Sequence, residues 1–217
     1  GTYNVAGGFT AGTDLTAPGS AAVTAANGFY YIPSAILGYP EGGSAAPSTA
    51  IIGDSIGQAV SDFGIISTKP WIPSGGIYQR ALTGTAGVMN FSVGGDYAQN
   101  FQTTQGGALR MKGLLDGRFT SAIIEYGSND INLASPLSAA QLEPIILSLA
   151  TRIRRSGVSK IFVSTLIPRG SSTDMWATTT NQTPLSTEPQ RVLYNTWVRA
   201  GCPIDPDTLA AVPVGTG

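Results

Sequence analysis

Residues 50 to 57 read Ala50-Ile51-Ile52-Gly53-Asp54-Ser55-Ile56-Gly57, an apolar run that stops abruptly at a glycine, an acid and a serine. A run that is continuously apolar, instead of alternating with polar residues, is how a parallel strand buried on both faces reads. Three further runs share the pattern: Val88 to Val93, Ala122 to Tyr126 and Lys160 to Ile167. Parallel strands need crossovers, and helical patterns supply them. The clearest helix spans Ser138 to Arg155, with Ser138 and Gln141 forming a capping box, and Leu142, Ile145, Ile146, Leu149 and Ile153 on one apolar face before Gly157 stops it. Arg152, Arg154 and Arg155 close its last turn, where they face the negative end of the helix dipole. A second helix is predicted from about Pro189 to Ala200, with Thr187 and Gln190 as another capping box and Gly201 as its end. A weaker third covers roughly Phe101 to Leu115. Strand, helix, strand in repetition predicts an α/β fold built on a doubly wound parallel sheet with helices on both faces.

Composition narrows the function classes. The chain has 217 residues, 42% of them hydrophobic and 12% charged, which fits one sizeable core and excludes a charged disordered tail. A net charge of -1 provides no basic stripe for phosphates, so no nucleic-acid partner is expected. The single Cys202 forms no internal disulfide, and without histidine a zinc site would have to be built mostly from carboxylates; neither a metal nor a cofactor is expected. No apolar stretch approaches the ~20 residues of a membrane-spanning helix. Richness in Gly, Ala, Ser and Thr with few Lys and Glu is the composition of a secreted protein, and an extracytoplasmic location is the expectation. Residues 1–49, dense in Gly, Ala, Thr and Pro, read as an N-terminal β/loop extension with short strands around Tyr3 to Val5 and Gly28 to Ile32, and residues 50–217 as the α/β domain.

In a doubly wound sheet, sites form beyond the carboxyl ends of the strands. The first strand ends in Gly53-Asp54-Ser55, which places Ser55 at the start of the next helix with its own N–H aimed at whatever its hydroxyl attacks. Asp54 or Ser55 could equally be a plain helix cap. The second ends in Asn90-Phe91-Ser92-Val93-Gly94-Gly95-Asp96, where a glycine pair leaves an N–H exposed. The third ends in Glu125-Tyr126-Gly127-Ser128-Asn129-Asp130, whose asparagine amide is a further donor. Each alone is an ordinary turn; three in order at three successive strand ends are a constellation.

Together these residues resemble the SGNH hydrolases, also called GDSL esterases and lipases. Gly53-Asp54-Ser55-Ile56 resembles the family's first block, with isoleucine for the usual leucine. Asn90 followed by Gly95 and Asp96 resembles the second, and Gly127-Ser128-Asn129-Asp130 matches the Gly-x-Asn-Asp of the third. The resemblance covers Ala50 to about Gly201 and implies a flavodoxin-like, three-layer α/β/α fold. It further implies a carboxylic ester as substrate and Ser55 as the nucleophile that forms an acyl-enzyme. The backbone N–H groups of Ser55 and Gly95 and the side-chain amide of Asn129 would hold the oxyanion, with Asp54 and Asp130 ordering the loops.

The family's last block, Asp-x-x-His, has no counterpart, because the chain contains no histidine. A serine hydroxyl needs a base to take its proton as the new bond forms. Lys69, Lys112 and Lys160 do not fall at the motif-bearing strand ends, Glu125 lies within a buried strand pattern, and neither Asp205 nor Asp207 is followed three residues later by histidine. Either the chain is an inactive, SGNH-like carbohydrate-binding or adhesive module, with Phe29, Tyr30 and Tyr31 as candidate contacts, or Asp-x-x-His lies on a following or separate polypeptide. The Pro- and Gly-rich stretch from Cys202 to Gly217 and the retained oxyanion residues favour the companion polypeptide. The insertion from Pro168 to Ser186, carrying Met175 and Trp176, is a candidate wall of the acyl or sugar pocket. Intact-mass analysis of the purified protein is expected to reveal a second polypeptide; a lone 22.3 kDa species would sink that expectation.

Overall fold

A computed structural model describes residues 5–6, 30–31, 47–60, 76–82, 85–103, 105–116, 119–132 and 135–202. The chain divides into two units, Gly1–Ser44 and Ala45–Gly217. In the first, β1 (Val5–Ala6) pairs antiparallel with β2 (Tyr30–Tyr31), Val5 opposite Tyr31. Phe29, Lys69, Asp205, Asp207 and the tail 203–217 lie outside the described residues.

The second unit runs β3 (Ser48–Gly53), α1 (Ser55–Gln58), α2 (Gly76–Leu82), β4 (Gly87–Asn90), α3 (Ala98–Thr103), α4 (Gln105–Asp116), β5 (Ser121–Glu125), α5 (Ser128–Asn132), α6 (Ala139–Arg155), β6 (Lys160–Val163), β7 (Gly170–Ser172), β8 (Gln182–Pro184) and α7 (Glu188–Arg199). Four strands form one parallel sheet in the order β4-β3-β5-β6. The chain therefore leaves β3 for one neighbour, crosses back over it to β5, and continues outward. Right-handed crossovers then put α1 and α2 on one face and the later helices on the other, which is double winding. The packing agrees: α1 touches β3 and α2 touches β4, while α6 lies against β5 and β6 and carries α3 and α7.

Alternate residues of the strands choose the faces. Ala50, Ile52, Ala122 and Ile124 point into the main core, where the α6 stripe Leu142, Ile146, Leu149 and Ile153 covers them. Each of these large aliphatic side chains contributes about 1.5–3 kcal/mol by leaving water. Tyr194 and Trp197 of α7 complete the layer, their ring centroids 5.8 Å apart. Ile51 is buried too but lies outside that core, on the opposite face. At the start of α6, the Gln141 side chain accepts the Ser138 N–H at 2.9 Å, as its capping box requires.

The structure departs from the sequence reading at three elements. The run from Lys160 to Ile167 pairs as a strand only to Val163, and its burial alternates: Ile161 and Val163 pack on the core, whereas Phe162 is 56% exposed on the other face. β6 pairs with β5 alone among the described residues, and the described helices of that face lie over β3 and β4. The helix expected from Phe101 to Leu115 is two helices, α3 and α4. They cross at Gly107, where an added Cβ would stand 2.3 Å from the Asn100 carbonyl oxygen and 2.7 Å from that of Phe101. Finally, Thr187 is the N-cap residue of α7, but Thr187 and Gln190 form no capping box. The Thr187 hydroxyl donates to Asn132 Oδ1, and the Gln190 side chain accepts the N–H of Ala139 at 2.9 Å, so both residues join α7 to neighbouring elements instead.

Gly107→Ala is expected to destabilise the protein by about 2–3 kcal/mol, because the methyl meets backbone that has no rotamer to yield. Gly87→Ala, whose nearest atom would be 3.8 Å away, stays within about 0.5 kcal/mol. Urea denaturation midpoints at unchanged slope check both.

Candidate active site

Register sets the site. Ile51 pairs with Asn90 and Gly53 with Glu125, so the carboxyl ends of β4, β3 and β5 emerge side by side at the point where the strand order reverses. Beyond β4 the pairing continues informally, with Phe91 N–H donating to Ile51 O at 2.7 Å and Val93 N–H to Gly53 O at 3.0 Å. The residues that follow these three strands are Ser55, Gly95 and Asn129.

Ser55 is the first residue of α1, half-buried, and Asp54 is the N-cap, its Oδ1 accepting the Ile56 N–H at 2.9 Å. No described side chain is hydrogen-bonded to the Ser55 hydroxyl, and no described group accepts its N–H. Gly95 turns the next loop at φ +77°, with no atom within 4 Å of where a side chain would begin, and its N–H likewise meets no described acceptor. The loop lies close to the serine: a Cβ on Gly94 would be 3.8 Å from Ser55 Cβ, and the Gly94 N–H donates to Gln58 Oε1 of α1. On the other side, Asn129 Nδ2 donates to Asp96 O at 3.0 Å, which consumes one of its two N–H groups and leaves the second. Asn90 closes the ring behind the serine, its Nδ2 donating to Gly57 O at 2.8 Å and its Oδ1 accepting the Ser92 N–H at 2.9 Å.

The supporting acids do separate work. Asp130 accepts the N–H of Ala98, at 3.1 and 3.3 Å to its two oxygens, and so fixes the start of α3 just past the Gly95 loop. Burial pushes its carboxyl up to about 6 against that hydrogen bond. Asp96 accepts Tyr126 OH at 2.8 Å and Arg110 Nη2 at 2.6 Å. Arg110 also donates to Phe91 O at 3.0 Å and lies 4.9 Å over the Phe101 ring, so one guanidinium ties both ends of the loop to α4. Burial, and then the bond to Asp96, hold the Tyr126 hydroxyl far above its ordinary range. Glu125 and Asp54 are both buried carboxyls under the α1 turn; burial raises both, Glu125 to about 8.

After β6, the insertion is a β7–β8 hairpin with a short 3-10 turn, Thr179–Asn181, in its loop. Asp174 organises the tip: Ser172 Oγ, the N–H and hydroxyl of Thr178, and Asn181 Nδ2 all converge on its carboxylate at 2.7–3.1 Å. Those bonds, Thr178 first, hold it well below the usual carboxylate range. Met175 and Trp176 stand at the tip in the left-handed region, φ +54° and +69°, and are 91% and 58% exposed. At the hairpin base Arg169 O accepts the Leu185 N–H at 3.1 Å, and the Arg169 charge acts on Asp54.

The five residues singled out in the sequence thus meet at one end of the sheet, and others unforeseen join them. Glu125 was legible as an acid inside a buried apolar run, an expensive placement that calls for a partner. Arg110 reaches the site only through the crossing of elements distant in sequence, and nothing local marks it, whereas Tyr126 stands within the third strand end itself. Among the described residues no group of three or more His, Cys, Asp or Glu side chains could hold a metal ion.

No family model and no curated protein matches the chain. Among solved structures it is similar to TesA, at 23% identity and TM-score 0.43 over 71% of each chain. It is similar to an acetyl xylan esterase, AlAXEase, at 16% identity and TM-score 0.47 over 70% of this chain and 71% of that one. A putative SGNH hydrolase from Slackia heliotrinireducens is 13% identical with TM-score 0.48, over 79% of this chain and 93% of the other.

Arg110→Met is expected to cost about 3 kcal/mol in chemical denaturation, because the Asp96 carboxylate stays buried with its charge uncompensated. Arg110→Lys recovers only part, since a single ammonium cannot serve the Phe91 carbonyl and Asp96 with the geometry of a planar fork.

Proposed function

We propose that this chain carries the nucleophile and oxyanion hole of a serine esterase of the SGNH type, acting on carboxylic esters through an acyl-enzyme on Ser55. The observation that carries this reading is the set of donors around one serine: the N–H of Ser55, the N–H of Gly95 and the second amide hydrogen of Asn129, none with a described acceptor. Donors left open at a strand switch point, held by Asp96, Asp130 and Arg110, are what a developing oxyanion needs and what a plain helix cap does not. Ser55 Oγ attacks the ester carbonyl, the carbonyl oxygen gathers negative charge against the three donors, and collapse expels the alcohol. Water then attacks the acyl-enzyme by the same path in reverse.

The proton acceptor is the histidine of an Asp-x-x-His block on a following or separate segment. The reaction requires such a base from elsewhere, because the 217 residues contain no histidine and no described side chain reaches the Ser55 hydroxyl. The substrate is an acyl ester, a lipid ester or an acetylated carbohydrate, with the exposed Met175 and Trp176 of the hairpin as its contacts beyond the ester.

With imidazole supplied as the base that the 217 residues lack, a fluorophosphonate probe is expected to label Ser55, located by peptide mass. Hydrolysis of p-nitrophenyl acetate, with imidazole added as a stand-in base, is expected to exceed that of Ser55→Ala under the same conditions. Asn129→Ala lowers the labelling rate about 10²- to 10³-fold, the usual effect of losing one oxyanion donor. Label elsewhere, or turnover indifferent to Ser55→Ala, rejects the serine; glycan binding in its place would mark the chain as a binding module.

A further inference from the structure

We propose that Glu125 is the positioning residue of the Ser55 turn: its protonated carboxyl, sharing its proton with Asp54, clamps the backbone of residues 54–57 from beneath and fixes the direction in which the serine leaves the sheet. The functional consequence rests on the Ser55 reading above; the clamp itself does not.

Glu125 is the last residue of β5, 3% exposed, directly opposite Gly53 in the register. Its Oε2 accepts the Gly57 N–H at 3.0 Å and, at longer range, the Asp54 N–H at 3.4 Å, so one oxygen holds the turn on both sides of Ser55. The fit excludes side chains: a Cβ on Gly53 would come within 2.6 Å of that oxygen, and one on Gly57 within 3.1 Å of it and 2.5 Å of Ser92 Oγ. This explains why the serine is flanked by glycine two residues to either side. A second, independent observation concerns Asp54. Its Oδ1 caps α1, but its Oδ2 is buried without a hydrogen bond among the described residues, and the Asn129 backbone N–H acts on the carboxylate more weakly than Glu125 does. Such an orphan is costly unless something donates to it. The neighbouring Glu125 carboxyl acts on it directly, and a proton on Glu125 supplies the missing donor.

The charges around the pair agree with a single proton held between them. Asp54 opposes ionisation of Glu125, while Arg169, acting on Asp54, favours keeping the negative charge there. The charges of both carboxyls act on Tyr78 of α2 and that of Glu125 on Tyr194 of α7, burial raising each phenol, and Asp130 feels the Asp54 charge. A protonated carboxyl whose free oxygen is engaged by backbone N–H groups is not a base for Ser55. It is scaffolding.

The linkage has a definite sign. Glu125 takes its proton up near pH 8 in the folded protein and near 4.5 in the unfolded chain, so the folded state binds the extra proton between these values and stability falls as pH rises through that window. Glutamine can accept the same N–H groups and donate to Asp54 without titrating. In the wild type, the Gly57 amide resonance is therefore expected to shift with a midpoint near pH 8. In Glu125→Gln that shift disappears, and so does the relative loss of melting temperature between about pH 5 and 8. Ser55→Ala keeps the titration, which separates the clamp from the nucleophile assignment. Fluorophosphonate labelling at pH 7, with imidazole supplied as the base, falls about 10²-fold in Glu125→Ala and is rescued to within tenfold of wild type by Glu125→Gln. A Gly57 amide that does not respond between pH 6 and 9 overturns the clamp. So does a folded Glu125→Gln that labels as slowly as Glu125→Ala, which would make the carboxyl part of the chemistry. If the wild type does not label even with imidazole supplied as the base, the serine reading fails and the Gly57 titration still decides the clamp.

Discussion

The parallel register of β4, β3 and β5 is the constraint on which the rest depends. Pairing Ile51 with Asn90 and Gly53 with Glu125 brings the strands out at one edge within a residue or two of each other, at the only place in a doubly wound sheet where the connections diverge to opposite faces. A slip of one residue would set Ile52 or Asp54 opposite Glu125 in place of Gly53, where a Cβ would stand 2.6 Å from Glu125 Oε2 and 2.8 Å from its carbonyl oxygen. Close packing therefore enforces the alignment of β3 with β5. No element of the site needs to be precise by itself, because each loop starts from a backbone already fixed by Ala50, Ile52, Ala122 and Ile124.

This is also why so much of the site was legible in sequence. A strand buried on both faces carries few polar residues, so a cluster of them after it announces where the chain turns, and Gly53-Asp54-Ser55, Gly94-Gly95-Asp96 and Ser128-Asn129-Asp130 all stand there. The misread elements share the opposite property. Thr187 and Gln190 have the spacing of a capping box, but Asn132 and Ala139 are brought to them by packing and offer the same hydrogen bonds while also fixing α7 in place. The division of α3 from α4 depends on Gly107 meeting the Asn100 carbonyl, a contact between two helices that no single-helix pattern contains. At β6 the apolar composition was read as two-sided burial, yet Phe162 lies on a face that the described helices do not cover. Local pattern reports local preference, and it fails where a distant partner offers more.

The electrostatics of the site pose a problem that the structure answers residue by residue. A hole for an oxyanion should not be surrounded by anions, yet Asp54, Asp96, Glu125 and Asp130 are all buried within this one end of the sheet. Charge at these distances in a low-dielectric surround would oppose the transition state that the open N–H groups favour. Asp96 is matched by the Arg110 guanidinium and the Tyr126 hydroxyl, and Asp130 is directed at the first N–H of α3. Asp54 is directed at the N–H of Ile56, at the positive end of α1. Glu125, like Asp130, has no cation and accepts only from neutral backbone, and it is Glu125 that bonds the turn on both sides of Ser55.

For that last carboxyl, neutrality is the remaining way to coexist with an oxyanion, and burial supplies it without any added group. The same depth that makes an acid in a β-strand an oddity of sequence makes it a hydrogen-bonding wedge that adds no negative charge. A glutamine would satisfy the same backbone groups, so nothing in the geometry demands an acid. What the acid adds is a dependence on pH: once it ionises, two carboxylates are pressed together under the serine and repulsion acts on the turn itself. The turn is thus held most firmly where Glu125 retains its proton, and its order is set by the same buried pair that lies closest to Ser55.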